Sequence, residues 1–218
     1  MINTNIPGWM KPQELVLLTK LAQFVPENGA ILEVGCFLGS STVALYNGKL
    51  PSVKMTVVDN FRGFLDPSVL EKPFEEVRFE TGDLDSYQRA KSIAISRGWQ
   101  MAFKSCVGDE IYNDLDTHPV SSGDFVKDKK YNLTFIDASH YYEDVRNDLK
   151  KFASDTDLLI GDDFLSLYPG VSQAVNQFRD KRTLVVFENT KLWALIPKAG
   201  YWRDVFKNNN LLFAGSDE

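Results

Sequence analysis

Short apolar runs alternate with amphipathic stretches along most of the chain. Runs rich in Val, Ile and Leu and bounded by turn residues are typical of buried strands, and apolar side chains at helical spacing predict helices. The predicted strands are 30–34, 53–58, 100–104, 133–136 and 158–160. The predicted helices are 12–24, 40–46, 84–97, 109–115, 142–152 and 171–179. This alternation predicts a parallel sheet covered by helices.

The end of the chain breaks the alternation. Residues 184–187 and 191–196 form two apolar runs that only Glu188-Asn189-Thr190 separates. A connection this short cannot hold a crossover helix, so the two strands must form an antiparallel hairpin. We therefore predict an α/β fold, a three-layer α/β/α sandwich whose mostly parallel seven-stranded sheet ends in a C-terminal antiparallel hairpin.

Length and charge narrow the class of protein. The chain has 218 residues and 44% hydrophobic content, which predicts a single domain over 1–218 with an N-terminal helical segment at 1–28. A net charge of −6 argues against a nucleic-acid partner. The sequence has no bilayer-length apolar run, no secretory signal pattern and only two cysteines, so we expect no membrane partner and a cytoplasmic location.

Two segments, 60–82 and 117–130, carry no clear period, and a third, 201–213, has more than one possible packing partner. Residues 60–82, which contain four phenylalanines, form either a lid or a surface helix docked by its aromatic side chains. Residues 117–130 are predicted to be a polar loop. The apolar side chains of 201–213 pack either on the sheet or on another subunit, which leaves a homo-oligomer open.

A glycine loop follows the first predicted strand. It reads Glu33-Val34-Gly35-Cys36-Phe37-Leu38-Gly39-Ser40-Ser41. Glycine lets the backbone turn sharply and approach a ligand, and the two serines stand at a helix N-terminus that suits a carboxylate. The glycine patterns of dinucleotide and phosphate loops are absent. Glu33 would repel phosphate and attract the ammonium group of an amino-acid moiety.

Two further features support a nucleoside site. Asp59 and Asn60 end the second strand, and Asp59 stands 24 residues after Gly35, where a carboxylate can accept the hydroxyls of a ribose. A strand-end aspartate that caps a turn is the alternative. After the third predicted strand, Gly108 and Asp109 can flank an adenine.

The acidic-x-Gly-x-x-x-Gly loop, the strand-two acid and the terminal hairpin together resemble the Rossmann-like (class I) S-adenosylmethionine-dependent methyltransferases over roughly residues 25–200. The resemblance implies S-adenosylmethionine as the cofactor. It places Glu33, Gly35, Phe37 and Ser41 around the methionine part, Asp59 at the ribose, and Gly108 and Asp109 near the adenine. The other candidate cofactor-binding residues are Cys36, Gly39, Ser40, Asn60, Asp137 and Ala138.

Three carboxylates are predicted to meet at one edge of the sheet. Asp137 ends the fourth strand, and Asp162 and Asp163 end the fifth, so all three lie at the carboxyl edge of parallel strands. Such a cluster is costly without a cation, and oxygen ligands of this kind suit Mg²⁺, which would lower the pKa of an acceptor hydroxyl. The alternative for Asp162 and Asp163 is a role as helix caps or turn formers.

His140 follows Asp137 by three residues and is the candidate general base, with packing or capping of the next helix as the alternative. His118 precedes a proline in a polar loop and is predicted to lie at the surface.

The pattern Ile-Asp-x-x-His-x-Tyr-Glu, followed by Gly-Asp-Asp-Phe, resembles the sugar O-methyltransferases of macrolide and aminocoumarin synthesis, and more distantly catechol O-methyltransferase. That resemblance implies Asp137, Asp162 and Asp163 as metal ligands and His140 as base. Some members have an aspartate where this chain has Ser139.

The sequence therefore predicts a methyltransferase that acts on a hydroxyl of a small molecule or sugar, assisted by Mg²⁺ or another divalent cation, with S-adenosylhomocysteine as product. Two alternatives stay open. One is a metal-independent N- or carboxyl-methyltransferase, and the other is a non-catalytic S-adenosylmethionine-binding module.

Overall fold

The structure of the protein, a computed structural model, describes residues 5–62, 79–165, 167–179 and 182–211. The strands are β1 Ala30–Val34, β2 Lys54–Val58, β3 Asp116–His118, β4 Tyr131–Ile136, β5 Thr156–Gly161, β6 Arg182–Val186 and β7 Trp193–Pro197. The helices are α1 Pro12–Gln23, α2 Ser40–Gly48, α3 Leu84–Arg97, α4 Trp99–Val107, α5 Asp109–Asp114, α6 Tyr142–Ala153, α7 Pro169–Phe178 and α8 Tyr201–Asn208.

The seven strands form one sheet in the order β3-β2-β1-β4-β5-β7-β6. The first five strands in this order pair parallel, and β7 pairs antiparallel with both β5 and β6. The predicted fold class is confirmed, including the C-terminal hairpin. Because β1, β2, β4 and β5 are parallel, their carboxyl ends meet at one edge of the sheet.

Helices cover both faces of the sheet. Leu15 of α1, Val43 of α2 and Phe103 of α4 belong to one buried apolar cluster, together with strand side chains from that face. Leu149 of α6 and Val175 of α7 belong to a second cluster on the other face. Two buried clusters separated by the sheet make the domain a three-layer sandwich.

Helix α1 shows how the local sequence directs this packing. Pro12 occupies the first turn, where a missing N–H costs nothing. Leu15, Leu18 and Leu21 follow at helical spacing, and all three are fully buried. The apolar stripe therefore packs α1 against α2 and buries it in the core cluster on this face of the sheet.

The prediction for the third strand is wrong. Residues 100–104 belong to α4, and the strand beside β2 is Asp116–His118, which overlaps the start of the predicted polar loop 117–130. A short apolar run fits a strand or a buried helix equally well, and Ala102, Phe103 and Val107 bury one helical face. The real strand escaped detection because a three-residue edge strand can be polar.

The structure describes parts of the segments 60–82 and 201–213, which the sequence left open. Residues 63–78 of the predicted lid lie outside the described residues, so the lid stays a prediction. Its flanks Phe61 and Phe79 pack on the apolar core. In α8, Trp202 and Phe206 are buried in the chain's own core, which favours packing on the sheet for this part of 201–213. Within the described ranges, no helix is long and apolar enough to cross a bilayer.

Gly161 tests the packing between β5 and β7. A Cβ atom at this position would lie 2.2 Å from Cζ2 of the buried Trp193. We expect Gly161→Ala to lower the free energy of unfolding by about 2–3 kcal/mol, because the indole ring has no room to move away. Gly123→Ala is the matched control, since the nearest atom to its Cβ would lie 3.7 Å away. Urea denaturation of both variants measures the difference, and equal stabilities would contradict this packing.

Candidate functional site

The glycine loop after β1 lies directly against the end of β4. Gly35 adopts φ +85, and a Cβ atom there would lie 2.1 Å from the carbonyl oxygen of Asp137. Gly39 adopts φ +96, where its Cβ would lie 2.3 Å from Val107. Only glycine fits both positions without strain. The loop therefore packs against the backbone of Asp137 with no room for a side chain at position 35.

Glu33 does not face an open ligand site. It is fully buried, and its two carboxylate oxygens accept hydrogen bonds from Ser41 Oγ at 2.5 Å and Thr42 Oγ1 at 2.6 Å. Burial raises the pKa of Glu33 to about 7, although the two hydroxyl donors oppose the shift. A contact between Glu33 and a cofactor ammonium group stays a prediction, and in this structure both carboxylate oxygens contact α2. Glu33 holds the first turn of α2 in place through these two hydrogen bonds. The hydroxyl of Ser41 is occupied by this contact.

Asp59 holds the glycine loop from the neighbouring strand. Its Oδ2 accepts hydrogen bonds from the backbone N–H of Cys36 at 2.9 Å and of Phe37 at 3.2 Å, and its Oδ1 accepts from Phe61 N–H at 2.7 Å. Phe37 sits in the left-handed region at φ +48, a conformation that these bonds help to hold. Asn60 is exposed, and its side chain accepts from Arg62 N–H.

Gly108 and Asp109 lie in a different context from the one predicted. They form the turn between α4 and α5 rather than the end of a strand. The Asp109 side chain is 80% exposed and forms an ion pair with Lys104 at 3.1 Å. Val107, one residue earlier, contacts the position of Gly39, so this turn does adjoin the glycine loop. A role at the adenine stays a prediction for both residues.

The acidic residues and His140 come together at the carboxyl edge of β4 and β5. Asp137, His140 and Asp163 each offer one ligand atom, and these atoms all lie within 4.8 Å of one another. His140 Nε2 lies 2.7 Å from Asp163 Oδ2. Asp163 adopts φ +62, a backbone strain that turns its carboxylate into the cluster. These contacts and the close approach of Gly35 put the glycine loop, a carboxylate and a histidine at one site.

These groups line a small cleft at the carboxyl ends of β4 and β5, where Asp162 and Asp163 are buried. Its polar lining is Asp137, Ser139, His140, Asp162 and Asp163, and Ala138 lines it as well. The His140 ring stacks on Tyr168, with ring centroids 4.1 Å apart. Ser139 donates a hydrogen bond to Asp144 at 2.7 Å, which fixes the loop before α6. Tyr168 has no distinguishing sequence signal, although it lies only four residues after the Gly-Asp-Asp-Phe motif.

Lys191 completes the cluster, although no motif in the sequence indicated it. Its Nζ lies 2.8 Å from Asp162 Oδ2 and 3.2 Å from Asp163 Oδ1. It belongs to the hairpin turn before β7, where a lysine is ordinarily solvated. The one available signal was indirect: a group of buried carboxylates requires a counter-charge.

The protonation states follow from burial and neighbours. Burial, with added repulsion from Asp162 and Asp163, raises the pKa of Asp137 well above its ordinary value. Burial and the adjacent Asp163 raise the pKa of Asp162 to about 6. Burial acts to raise the pKa of Asp163 too, but His140 and Lys191 outweigh it and hold that pKa below its ordinary value. Asp163 is thus the carboxylate that stays ionised.

A divalent ion does not fit Asp162 and Asp163 while Lys191 is in place. Mg²⁺ binds carboxylate oxygens at about 2.0–2.1 Å. Asp163 uses one oxygen for Lys191 and the other for His140, and Asp162 Oδ2 also contacts Lys191. Among the described residues, buried Asp162 Oδ1 has no hydrogen-bond partner, so a single unused oxygen is left on that carboxylate. The predicted ligand set is therefore brought together, but around an ammonium group.

Comparison with known proteins identifies the fold. No family model and no curated protein matches the chain. A protein of Corynebacterium glutamicum matches with TM-score 0.57 and 12% identity, over 89% of this chain and 84% of that one. An O-methyltransferase of Bacillus cereus in complex with SAH gives TM-score 0.51 and 13% identity, over 85% and 81% of the two chains.

The N-methyltransferase NodS of Bradyrhizobium japonicum, in complex with S-adenosyl-L-homocysteine, gives TM-score 0.51 and 11% identity, over 87% of this chain and 89% of that one. At such identities the likeness concerns the fold and does not extend to the substrate. The chain has the Rossmann-like methyltransferase fold.

Proposed function

We propose that this protein is an S-adenosylmethionine-dependent methyltransferase that acts on a hydroxyl group of a small molecule or sugar. One observation carries the proposal: the glycine loop packs closely against the backbone of Asp137 at Gly35, and His140 and Asp163 lie beside Asp137. A nucleoside cofactor at the loop and an acceptor beside the histidine would then meet at one edge of the sheet. Methyltransferases of differing acceptor type share this fold, so the site rather than the fold supports the choice of acceptor.

The loop and Asp59 would hold the cofactor. The free N–H groups at the start of α2 suit the methionine carboxylate, and the half-buried Asp59 carboxylate can accept the ribose hydroxyls in addition to its backbone bonds. Glu33 supports this site from beneath by fixing α2. When bound, S-adenosylmethionine supplies an electrophilic methyl group on its sulfonium sulfur.

His140 and Asp163 supply the base. Nε2 of His140 contacts the ionised Asp163, which orients the ring and leaves Nδ1 to receive the proton of an acceptor hydroxyl. Asp163 then stabilises the imidazolium that forms. With S-adenosylmethionine bound, the acceptor oxygen would displace the sulfur from the methyl carbon, and the products would be a methyl ether and S-adenosylhomocysteine. Holding both reactants at one edge supplies much of the rate.

The histidine–aspartate pair favours an oxygen acceptor over a nitrogen acceptor. A neutral amine can attack before it loses a proton, whereas a hydroxyl needs a base to become a good nucleophile. The same pair argues against a non-catalytic binding module, because cofactor binding alone does not require a base at the neighbouring strand end.

Metal-assisted transfer, as predicted from the sequence, is the second candidate. It is supported by the ligand atoms of Asp137, His140 and Asp163, which lie within 4.8 Å of one another. It is the weaker candidate because a metal ion there would share Asp163 with the ammonium group of Lys191.

The proposal is tested by incubating the protein with methyl-labelled S-adenosylmethionine and matched acceptors that carry either a hydroxyl, an amine or a carboxylate. We expect labelled methyl ethers from some sugars or phenols and S-adenosylhomocysteine in equal amount. Transfer to amines alone would contradict the proposed acceptor class. Binding of the cofactor without transfer to any acceptor would favour the non-catalytic module.

Asp59→Asn is expected to weaken S-adenosylhomocysteine binding by about tenfold to a hundredfold. The amide lacks the charge that strengthens hydrogen bonds to sugar hydroxyls, and one of its two ends cannot accept from the loop N–H groups. Equilibrium dialysis with labelled S-adenosylhomocysteine measures the change. The control is Asp114→Asn, which removes a half-exposed surface carboxylate that contacts Lys49. Equal affinities of the two variants would exclude Asp59 from the site.

A further inference from the structure

A lysine side chain from the C-terminal hairpin reaches into the acidic cluster. Lys191 Nζ contacts Asp162 Oδ2 at 2.8 Å and Asp163 Oδ1 at 3.2 Å, and its side chain is 15% exposed. We infer that Lys191 is the resident cation of this cluster, and that the catalytic edge works without a divalent metal ion. The part of this inference that concerns activity rests on the proposed function, whereas the part that concerns metal binding does not.

The backbone of Lys191 is fixed on both sides. Its N–H donates to Glu14 Oε1 at 2.7 Å, and its carbonyl oxygen accepts from Phe164 N–H at 2.9 Å. Glu14 is fully buried and also accepts from Lys11 N–H, so its carboxylate cannot move away. The stem of Lys191 therefore starts from a rigid position. A lysine that only happened to be near a carboxylate would not need a buried glutamate to hold its backbone.

Ammonium and metal compete for the same oxygens. A divalent ion bound to Asp162 and Asp163 would lie about 2.0–2.1 Å from oxygens that already contact Lys191 Nζ. Two cations that close repel strongly in a cluster shielded from water. Lys191 is tethered at the site, whereas Mg²⁺ must first lose tightly bound water to enter. The cluster therefore holds the ammonium group and excludes the ion.

Lys191 acts on the proposed chemistry through Asp163. One oxygen of Asp163 contacts Lys191 and the other contacts His140 Nε2, so the three side chains form a single chain of contacts. Fixing Asp163 fixes the ring and tautomer of His140. Lys191 is thus a positioning residue, and it also supplies the positive charge that the sequence pattern assigned to a metal.

Binding of Mn²⁺ to the full chain, followed by the paramagnetic resonance signal of the free ion, tests this inference without cofactor or acceptor. We expect Lys191→Ala to bind Mn²⁺ at least about tenfold more tightly than the wild type, because the carboxylates lose their counter-charge. Lys191→Arg keeps the charge and should bind as weakly as the wild type. Lys198→Ala changes an exposed lysine just beyond the same hairpin and should also match the wild type.

Other outcomes of these measurements would overturn the inference. Wild-type protein that binds Mn²⁺ as tightly as Lys191→Ala, and loses it with Asp163→Asn, overturns the inference. If Lys191→Ala does not fold, the wild type and Lys191→Arg still decide, because Mn²⁺ binding that depends on Asp163 in either one overturns it. Methyl transfer by the wild type that survives EDTA supports it, and transfer that EDTA abolishes and Mg²⁺ restores overturns it. Absence of any transfer contradicts the proposed function alone, since the Mn²⁺ measurement stands by itself.

Discussion

Replacing His140 by alanine is expected to lower kcat by about a hundredfold to ten-thousandfold, which is the range for loss of a positioned general base. The affinity for S-adenosylhomocysteine should stay the same, because the side chain faces Asp163 and Tyr168 rather than the glycine loop. The loss should shrink as the pH rises toward the pKa of the acceptor hydroxyl, since an ionised acceptor no longer needs the base. Initial rates at several pH values measure both effects.

His118→Ala is the matched control. This second histidine lies on the edge strand β3, where it pairs with Asp116 at 3.0 Å and packs against Phe125. Among the described residues, His118 has no contact with the acidic cluster. The kcat of His118→Ala should therefore stay close to that of the wild type. Equal activity of the two histidine variants would remove His140 from the mechanism.

Glu33→Gln is expected to change how stability depends on pH. Burial raises the pKa of Glu33 from 4.5 to about 7 in the folded protein. A raised carboxyl pKa means that the folded state binds the proton more tightly than the unfolded state. Glu33 therefore does not destabilise the folded protein below pH 4.5. The free energy of unfolding falls as the pH rises between the two pKa values, and the full destabilisation is present above about pH 7.

The size of the effect follows from the shift. The wild type should lose about 3 kcal/mol of unfolding free energy between acid and mildly alkaline pH through this group, and Gln, which does not ionise, should not. The gain of Glu33→Gln over the wild type should thus grow with pH in urea denaturation. Glu188→Gln, at an exposed position, is expected to change stability little at any pH. If the difference in unfolding free energy between Glu33→Gln and the wild type does not change with pH, ionisation of Glu33 does not destabilise the folded protein.

Strongly patterned elements could be predicted from the sequence. The bounds of β1 and α3 agree with the structure because turn residues mark both ends of each. The hairpin was predictable because its turn is too short for a helix. The third strand was not, since β3 is polar and short, and the apolar residues of α4 imitate a strand.

The candidate site was predictable in its carboxylates and histidine, but not in its cation. Strand ends can be placed at one edge once the sheet is known to be parallel. Lys191 depends on which strand the hairpin joins. Gly161 pairs with Trp193, so continuing the register two residues beyond each sets Asp163 beside Lys191, and this pairing is invisible in the sequence. The direction of the Glu33 carboxylate, toward Ser41 and Thr42, is likewise a tertiary result.

The central claim is that the glycine loop and Asp59 bind the nucleoside of S-adenosylmethionine. Isothermal calorimetry with S-adenosylhomocysteine and the wild-type protein tests it most directly. We expect saturable heat with one ligand per chain, and none from a nicotinamide dinucleotide. A protein that shows a cooperative urea transition yet gives no heat with S-adenosylhomocysteine would contradict the account at its base.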